Sequence, residues 1–117
     1  MTDCIYAFFS AWGDPSPESR AQKTDAAVSP KFYYSDPNAP APLTDRDAYL
    51  TYLAMFGDMA PGATARVVAV DARDSFARIT VDFVITQSMI KRGQYFADLA
   101  EGKITRIIGF AGMGEPS

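Results

Sequence analysis

The sequence contains no histidine. This absence excludes histidine-dependent catalytic triads, a histidine general base and the zinc sites that histidine usually builds. Cys4 is the only cysteine, so an internal disulfide and a thiolate metal cluster are excluded as well. Its apolar surroundings at the start of a helix favour a buried, unreactive thiol. We therefore expect a site that needs neither a metal nor another cofactor.

An excess of basic residues and a long apolar run are also missing. Eleven Lys and Arg residues stand against 14 Asp and Glu residues, which gives a formal net charge of -3. Binding to nucleic acid or to an anionic membrane needs a clustered basic face, so we expect neither partner. No apolar run approaches the roughly 20 residues of a membrane-spanning helix. Asp3 stands where a signal peptide would carry Lys or Arg, so we expect a cytoplasmic protein.

The composition that remains is that of one globular domain covering residues 1–117. Hydrophobic residues make up 48% of the chain, and the aromatic share of 13% is generous for its length. Aromatic area of this kind can line a pocket as readily as it fills a core.

Three helices are predicted in the first half of the chain, over residues 3–13, 17–27 and 45–56. The first carries an apolar stripe at helical spacing, formed by Ile5, Phe8, Phe9 and Trp12. Core packing is the simpler role for this stripe, and a ligand-binding wall is the alternative. The third helix is predicted to open on a capping box of Thr44 and Asp47 and to end at Gly57.

A short strand over residues 32–35 is predicted between the second and third helices. Pro37 restricts Asp36 to extended geometry and cannot donate to a sheet ladder, so the strand must end there. This leaves the Asp36 carboxylate at the lip of the strand. An aspartate in this position commonly caps nearby backbone amides in a turn.

From Ala63 onward the hydrophobic period changes to two, which predicts strands over 65–72, 76–87, 94–99 and 104–111. A turn is predicted at Arg92-Gly93. Helices followed by a run of strands indicate an α+β fold. We expect a cone-shaped, curved antiparallel sheet packed against three N-terminal helices, a cystatin-like α+β barrel.

The outward-facing side of these strands is predicted to mix charged and apolar residues. The members are Arg66, Arg78, Asp82 and Arg106 with Phe96 and either Ile104 or Ile108. A solvated face is one interpretation. A homodimer through the outer sheet face is the other, because apolar residues among charges are typical of an interface core with a polar rim.

Four motifs occur in a fixed order along nearly the whole chain: Phe9-Ser-Ala-Trp-Gly-Asp14, Tyr34-Ser-Asp-Pro37, Leu43-Thr-Asp-Arg-Asp-Ala48 and Ala100-Glu-Gly-Lys-Ile-Thr-Arg-Ile107. With the order of the elements, they resemble the nuclear transport factor two-like superfamily, which includes ketosteroid isomerase and the SnoaL-like polyketide cyclases. The resemblance implies the α+β cone. It leaves the activity open, because such folds host enzymes, binding modules and scaffolds.

The resemblance to ketosteroid isomerase implies that Asp36 is a general base. In that enzyme a tyrosine and a protonated aspartic acid polarise the substrate oxygen. The corresponding positions here fall on Phe8, which has no donor, and on Tyr95, whose phenol can donate to an oxyanion. Tyr34, two residues before Asp36, is a second candidate donor.

The resemblance therefore implies a cofactor-independent isomerase, cyclase or dehydratase acting on a hydrophobic, carbonyl-bearing small molecule. Asp36 and Tyr95 are the predicted catalytic residues. The residues predicted to bind substrate are Phe8, Trp12, Tyr34, Tyr52 and Phe83. Two alternatives remain open: a non-catalytic binding module for an apolar ligand, favoured by the phenylalanine at position 8, and a dimeric scaffold subunit.

Overall fold

The structure is a computed structural model that describes residues 2–114. Within that range the helices are α1 (Asp3–Ser10), α2 (Pro17–Ala27) and α3 (Arg46–Met59). The strands are β1 (Val28–Ser35), β2 (Thr64–Arg73), β3 (Phe76–Thr86), β4 (Met89–Ala100) and β5 (Lys103–Ala111). The predicted α+β class is confirmed. No helix in the described range is long and apolar enough to cross a bilayer.

The five strands form one mixed sheet in the order β1-β5-β4-β3-β2. Strands β2 to β5 make an antiparallel meander, whereas β1 lies parallel to β5. Each antiparallel pair contains a register shift, at Val67/Ala69, Val84/Thr86 and Asp98/Leu99. Such bulges bend the strands that carry them. The sheet is curved but open, because β1 and β2 remain its two separate edges.

The core lies between the helices and the concave face of the sheet. The apolar stripe predicted for the first helix is confirmed as core: Ile5, Phe8, Phe9 and Trp12 are all buried. Ile79 and Val81 from β3 face them, together with Ile107 from β5. The alternation of buried and exposed residues along β3 and β4 matches the period of two seen in the sequence.

Three predicted helix boundaries are wrong. The cap of α3 is Asp45 and not Thr44: its backbone is extended, and its carboxylate accepts the Ala48 N–H at 3.1 Å. The helix also continues through Gly57, because the Ala60 N–H still bonds to the Phe56 carbonyl at 3.0 Å. The first helix, by contrast, ends at Ser10, before the predicted residue 13.

Two strand boundaries differ from the prediction because pairing with another strand determines where each strand begins. β1 begins at Val28, four residues before the predicted start, because Val28 pairs with Ile104 of β5. The turn predicted at Arg92-Gly93 is wrong. Arg92 pairs with Asp82 in the β3–β4 ladder, so β4 begins at Met89.

Ion pairs across neighbouring strands cover the outer face of the sheet. Asp82 is the centre of one cluster, since its side chain is only 3% exposed and accepts from Arg92 at 2.6 Å and from Arg66 at 3.1 Å. The hydrogen bond from Arg92, and then that from Arg66, lowers the pKa of the Asp82 carboxyl. Opposite charges in facing positions stabilise the register of these strands.

We predict that Gly13→Ala destabilises the fold, whereas Gly57→Ala does not. Gly13 has φ +82, and a Cβ there would lie 2.0 Å from the Ala63 carbonyl oxygen. The strained backbone and the clash should lower the free energy of unfolding by roughly 2–4 kcal/mol in urea denaturation. Gly57 is helical with open space around it, so alanine should add roughly 0.5–1 kcal/mol. Equal midpoints for Gly13→Ala and the wild type would contradict this close approach.

Candidate functional site

A cavity of about 660 Å³ lies between α3, the turn after α1 and the concave face of the sheet. Its wall is mainly aromatic and aliphatic, and includes Trp12, Tyr52, Phe56, Phe83, Met89 and Tyr95. Asp36 contributes a carboxylate to this wall. An apolar cavity of this size with a few convergent polar groups is the usual form of a small-molecule site.

The end of β1 places Asp36 at the cavity. The backbone N–H and carbonyl of Tyr34 pair with those of Leu43, at 2.9 and 2.8 Å, which folds the loop after the strand back onto it. Asp36 is 9% exposed, and its Oδ1 accepts the backbone N–H groups of Asn38 and Ala39, both at 2.8 Å. The turn-capping role predicted for this aspartate is therefore confirmed.

Two phenols complete the environment of the Asp36 carboxylate. The hydroxyl of Tyr52, from α3, lies 2.8 Å from both carboxylate oxygens, and the hydroxyl of Tyr34 donates to Oδ2. Four neutral donors therefore serve one carboxylate. Among residues 2–114, no Lys or Arg nitrogen lies within ion-pair distance of Asp36.

Tyr95 extends this network from β4. Its hydroxyl lies 3.2 Å from that of Tyr34. Because Tyr34 gives its single proton to Asp36, Tyr95 must be the donor in this pair. Burial, the largest cause, raises the pKa of both phenols above the ordinary value, and the nearby Asp36 charge acts in the same direction. Both hydroxyls therefore stay neutral donors near neutral pH.

Gly109 allows the ring of Tyr95 to lie across the neighbouring strand. The two residues are partners in the β4–β5 ladder, and a Cβ at position 109 would come within 2.5 Å of Tyr95 Cε2. The ring of Phe9 packs edge-on against Tyr95 at 4.9 Å between centroids. These contacts direct the phenol toward Tyr34. An isolated glycine within a strand was the sequence signal for such a close approach.

The residues predicted from the sequence divide into two groups. Those that the structure brings to the cavity wall are Asp36, Tyr95, Trp12, Tyr52 and Phe83. Phe8 and Tyr34 do not line it. Phe8 is fully buried in a layer behind the site, where it stacks on Tyr49 at 5.3 Å, and Tyr34 is fully buried behind Asp36. The catalytic and substrate-binding roles of all seven residues stay predictions.

Sequence reasoning missed several residues of the cavity wall, among them Met59, Met89 and Lys91. Met59 lies in the last turn of α3, beyond the predicted end of that helix. Met89 and Lys91 precede the turn wrongly placed at Arg92-Gly93. The alternation of side chains along β4 could have identified Lys91 as a wall residue, because Lys91, Gly93 and Tyr95 share one face of the strand.

Comparison with known proteins supports the fold through structure rather than sequence. No protein-family model and no curated protein matches this chain. Among solved structures, a candidate isomerase of the SnoaL-like family from Agrobacterium tumefaciens superposes with a TM-score of 0.82 at 18% identity, over 95% of this chain and 96% of that one.

Two further structures are similar. A candidate ketosteroid isomerase from Kribbella flavida gives a TM-score of 0.72 at 16% identity, over 98% of this chain and 79% of that one. A candidate SnoaL-like polyketide cyclase from Jannaschia gives a TM-score of 0.76 at 12% identity, over 94% of this chain and 83% of that one. At these identities the likeness establishes the fold and not the activity. The chain has the fold of the nuclear transport factor two-like superfamily, as its sequence motifs predicted.

Proposed function

We propose that the protein is a cofactor-independent enzyme of the isomerase, cyclase or dehydratase type, acting on a hydrophobic, carbonyl-bearing small molecule. The observation that carries this proposal is the buried carboxylate of Asp36, which shares one aromatic cavity with the hydroxyls of Tyr52 and Tyr95. Removal of a proton next to a carbonyl needs a base and a neutral hydrogen-bond donor in a site that excludes water.

The hydroxyl of Tyr52 lies 2.8 Å from both oxygens of Asp36, so it can bond to Oδ1 and leave a lone pair on Oδ2. In the first step this oxygen takes a proton from the carbon beside the carbonyl. The electron pair of the broken C–H bond moves to the carbonyl oxygen, which becomes an enolate. Tyr95 then turns its proton from Tyr34 to this oxygen. The Tyr95–Tyr34 hydrogen bond of 3.2 Å is long for two hydroxyls. Exchanging it for a charge-assisted bond to the enolate stabilises the transition state. Isomerisation, cyclisation and dehydration differ only after this step.

The hydrogen bonds around Asp36 also favour the second candidate function, a binding module that does not turn over its ligand. Four donors already bond to the carboxylate and leave a ligand little access to its oxygens. Position 8, where ketosteroid isomerase has its tyrosine donor, carries a phenylalanine that lies outside the cavity wall. The two functions use one cavity and differ in whether Asp36 accepts a proton from the ligand.

We further propose that two copies pair through the outer face of the sheet. Phe96 and Phe110 are 46% and 56% exposed there, and their rings pack edge to face at 5.9 Å. The Arg106–Asp98 ion pair lies on the same two strands, β5 and β4, and the Arg78–Asp71 ion pair lies on the adjoining strands β3 and β2. An apolar centre with an ion-paired rim suits a self-complementary, two-fold contact. In this arrangement the protein could equally serve as a scaffold subunit.

Asp36→Asn should slow proton abstraction by orders of magnitude and leave the affinity for a neutral ketone unchanged. We expect solvent deuterium exchange at the α-carbon of 2-tetralone and related apolar ketones, followed by NMR, to slow by about 10²–10⁴-fold. Quenching of Trp12, the only tryptophan, reports binding in the same samples. Asp58→Asn is the matched control, because Asp58 is an exposed carboxylate outside the cavity wall. If the wild type binds these ketones without catalysing deuterium exchange, the enzyme hypothesis is wrong and the binding module is favoured.

The raised pKa values of Tyr34, Tyr52 and Tyr95 predict a loss of stability at alkaline pH. A phenol whose pKa is higher in the folded state stabilises the fold fully below its unfolded pKa, about 10, and progressively less above it. The free energy of unfolding in urea should therefore fall between pH 10 and pH 12. Tyr95→Phe should make that fall shallower. Ionisation of these three phenols near pH 10 in the folded protein, observed by NMR, would contradict the burial described above.

Phe96→Asp should convert a dimer into a monomer, because a carboxylate at the centre of the proposed interface would be buried without a partner. Light scattering at micromolar concentration measures the mass. Tyr6→Asp is the control, since Tyr6 is a similarly exposed aromatic residue, 52% exposed, on α1. A monomeric wild type at this concentration would exclude the dimer.

A further inference from the structure

The buried carboxylate of Asp36 has little hydrogen-bonding capacity left. A carboxylate offers about four acceptor positions. Here they are taken by Asn38 and Ala39 from the turn and by the hydroxyls of Tyr34 and Tyr52. All four donors are neutral, and no ion pair to Asp36 exists among residues 2–114. A ligand in the cavity therefore meets a negative charge that is closed to further N–H donors.

The wall of the same cavity carries a cluster of aromatic rings centred on Trp12. Its ring centroid lies 5.9 Å from that of Tyr52, 5.1 Å from Phe56 and 5.4 Å from Phe83. The planes of the three neighbours are inclined to the indole by 64° to 85°, so the rings do not stack in parallel. Aromatic faces carry negative charge density and attract cations within about 6 Å of the ring centre.

We propose that this cavity binds a quaternary ammonium group carried on an apolar body. Such a cation has no N–H to satisfy, so the occupied oxygens of Asp36 attract it without having to accept from it. Its methyl groups can pack on the rings of the Trp12 cluster and retain the cation–π attraction. A primary ammonium would instead lose hydration without gaining acceptors in return. This ligand class goes beyond the proposed reaction and requires no turnover.

Lys91 is the charge that opposes this binding. It pairs with Phe83 in the β3–β4 ladder and lines the cavity, and within residues 2–114 no ion pair holds its ammonium group. Arg92, the other basic residue at the cavity, is held by Asp82. Lys91 is exposed to water, which screens its charge, whereas Asp36 is buried, where a charge acts more strongly. We therefore expect the attraction of the cation by Asp36 to exceed its repulsion by Lys91.

The test titrates benzyltrimethylammonium and its neutral isostere neopentylbenzene against the single tryptophan fluorophore, Trp12. Asp36→Asn should weaken binding of the cation about tenfold and leave the neutral compound unchanged. Asp58→Asn, an exposed carboxylate outside the wall, should change neither affinity. Benzylammonium should bind more weakly than its quaternary analogue.

Two further variants keep the test decisive if Asp36→Asn folds poorly, as judged by circular dichroism. Phe56→Leu removes a ring at nearly constant apolar volume and should weaken only the cation. Lys91→Met removes the opposing charge and should tighten it. Equal changes for the cation and its isostere, or tighter binding of benzylammonium, would overturn the proposal. Because no turnover is involved, these results are independent of the deuterium-exchange result for ketones.

Discussion

The hydrogen bonds to the Asp36 carboxylate are the interaction on which the site depends. A buried charge costs several kcal/mol unless polar groups surround it. Here those groups come from three places: the turn that follows β1, the strand itself through Tyr34, and α3 through Tyr52. The strand end, the loop and the helix must therefore be in place together. The same contacts bring Tyr52 to the cavity wall beside Trp12.

The single proton of each phenol gives this network a direction. Tyr95 donates to Tyr34, which donates to Asp36. A ligand oxygen that takes the proton of Tyr95 need not disturb the hydrogen bond between Tyr34 and Asp36. Catalysis and simple binding are thus two outcomes of one geometry, and they differ in whether Asp36 accepts a proton from the ligand.

The two faces of β4 serve different purposes because side chains alternate along a strand. Tyr95 and Lys91 belong to the concave face and line the cavity. On the other face, the guanidinium of Arg92 pairs with Asp82 and Phe96 belongs to the exposed apolar patch, although Arg92 also borders the cavity. A change of register by one residue would exchange these sets. The ion pair between Arg92 and Asp82, which are partners in the ladder, works against such a change.

Helix caps and prolines made several element boundaries predictable from the sequence alone. The predicted second helix, residues 17–27, agrees with α2, and Pro37 ends β1 just before Asp36, because caps and prolines act on their immediate neighbours. The start of β1 at Val28 was not predictable in this way, since it depends on pairing with Ile104 of β5. The early start of β4 at Met89 likewise depends on its pairing with β3.

For the site, the sequence by itself determined which side chains could act. It supplied a carboxylate before a proline, phenols, aromatic rings and no histidine. Only the tertiary structure decided which of them meet. Tyr52 reaches Asp36 from 16 residues away, and Tyr95 reaches Tyr34 from 61 residues away. Phe8, one turn before Trp12 on the same stripe, is left behind the cavity wall. Such contacts depend on how a curved sheet and three helices pack, and no local pattern of residues encodes that geometry.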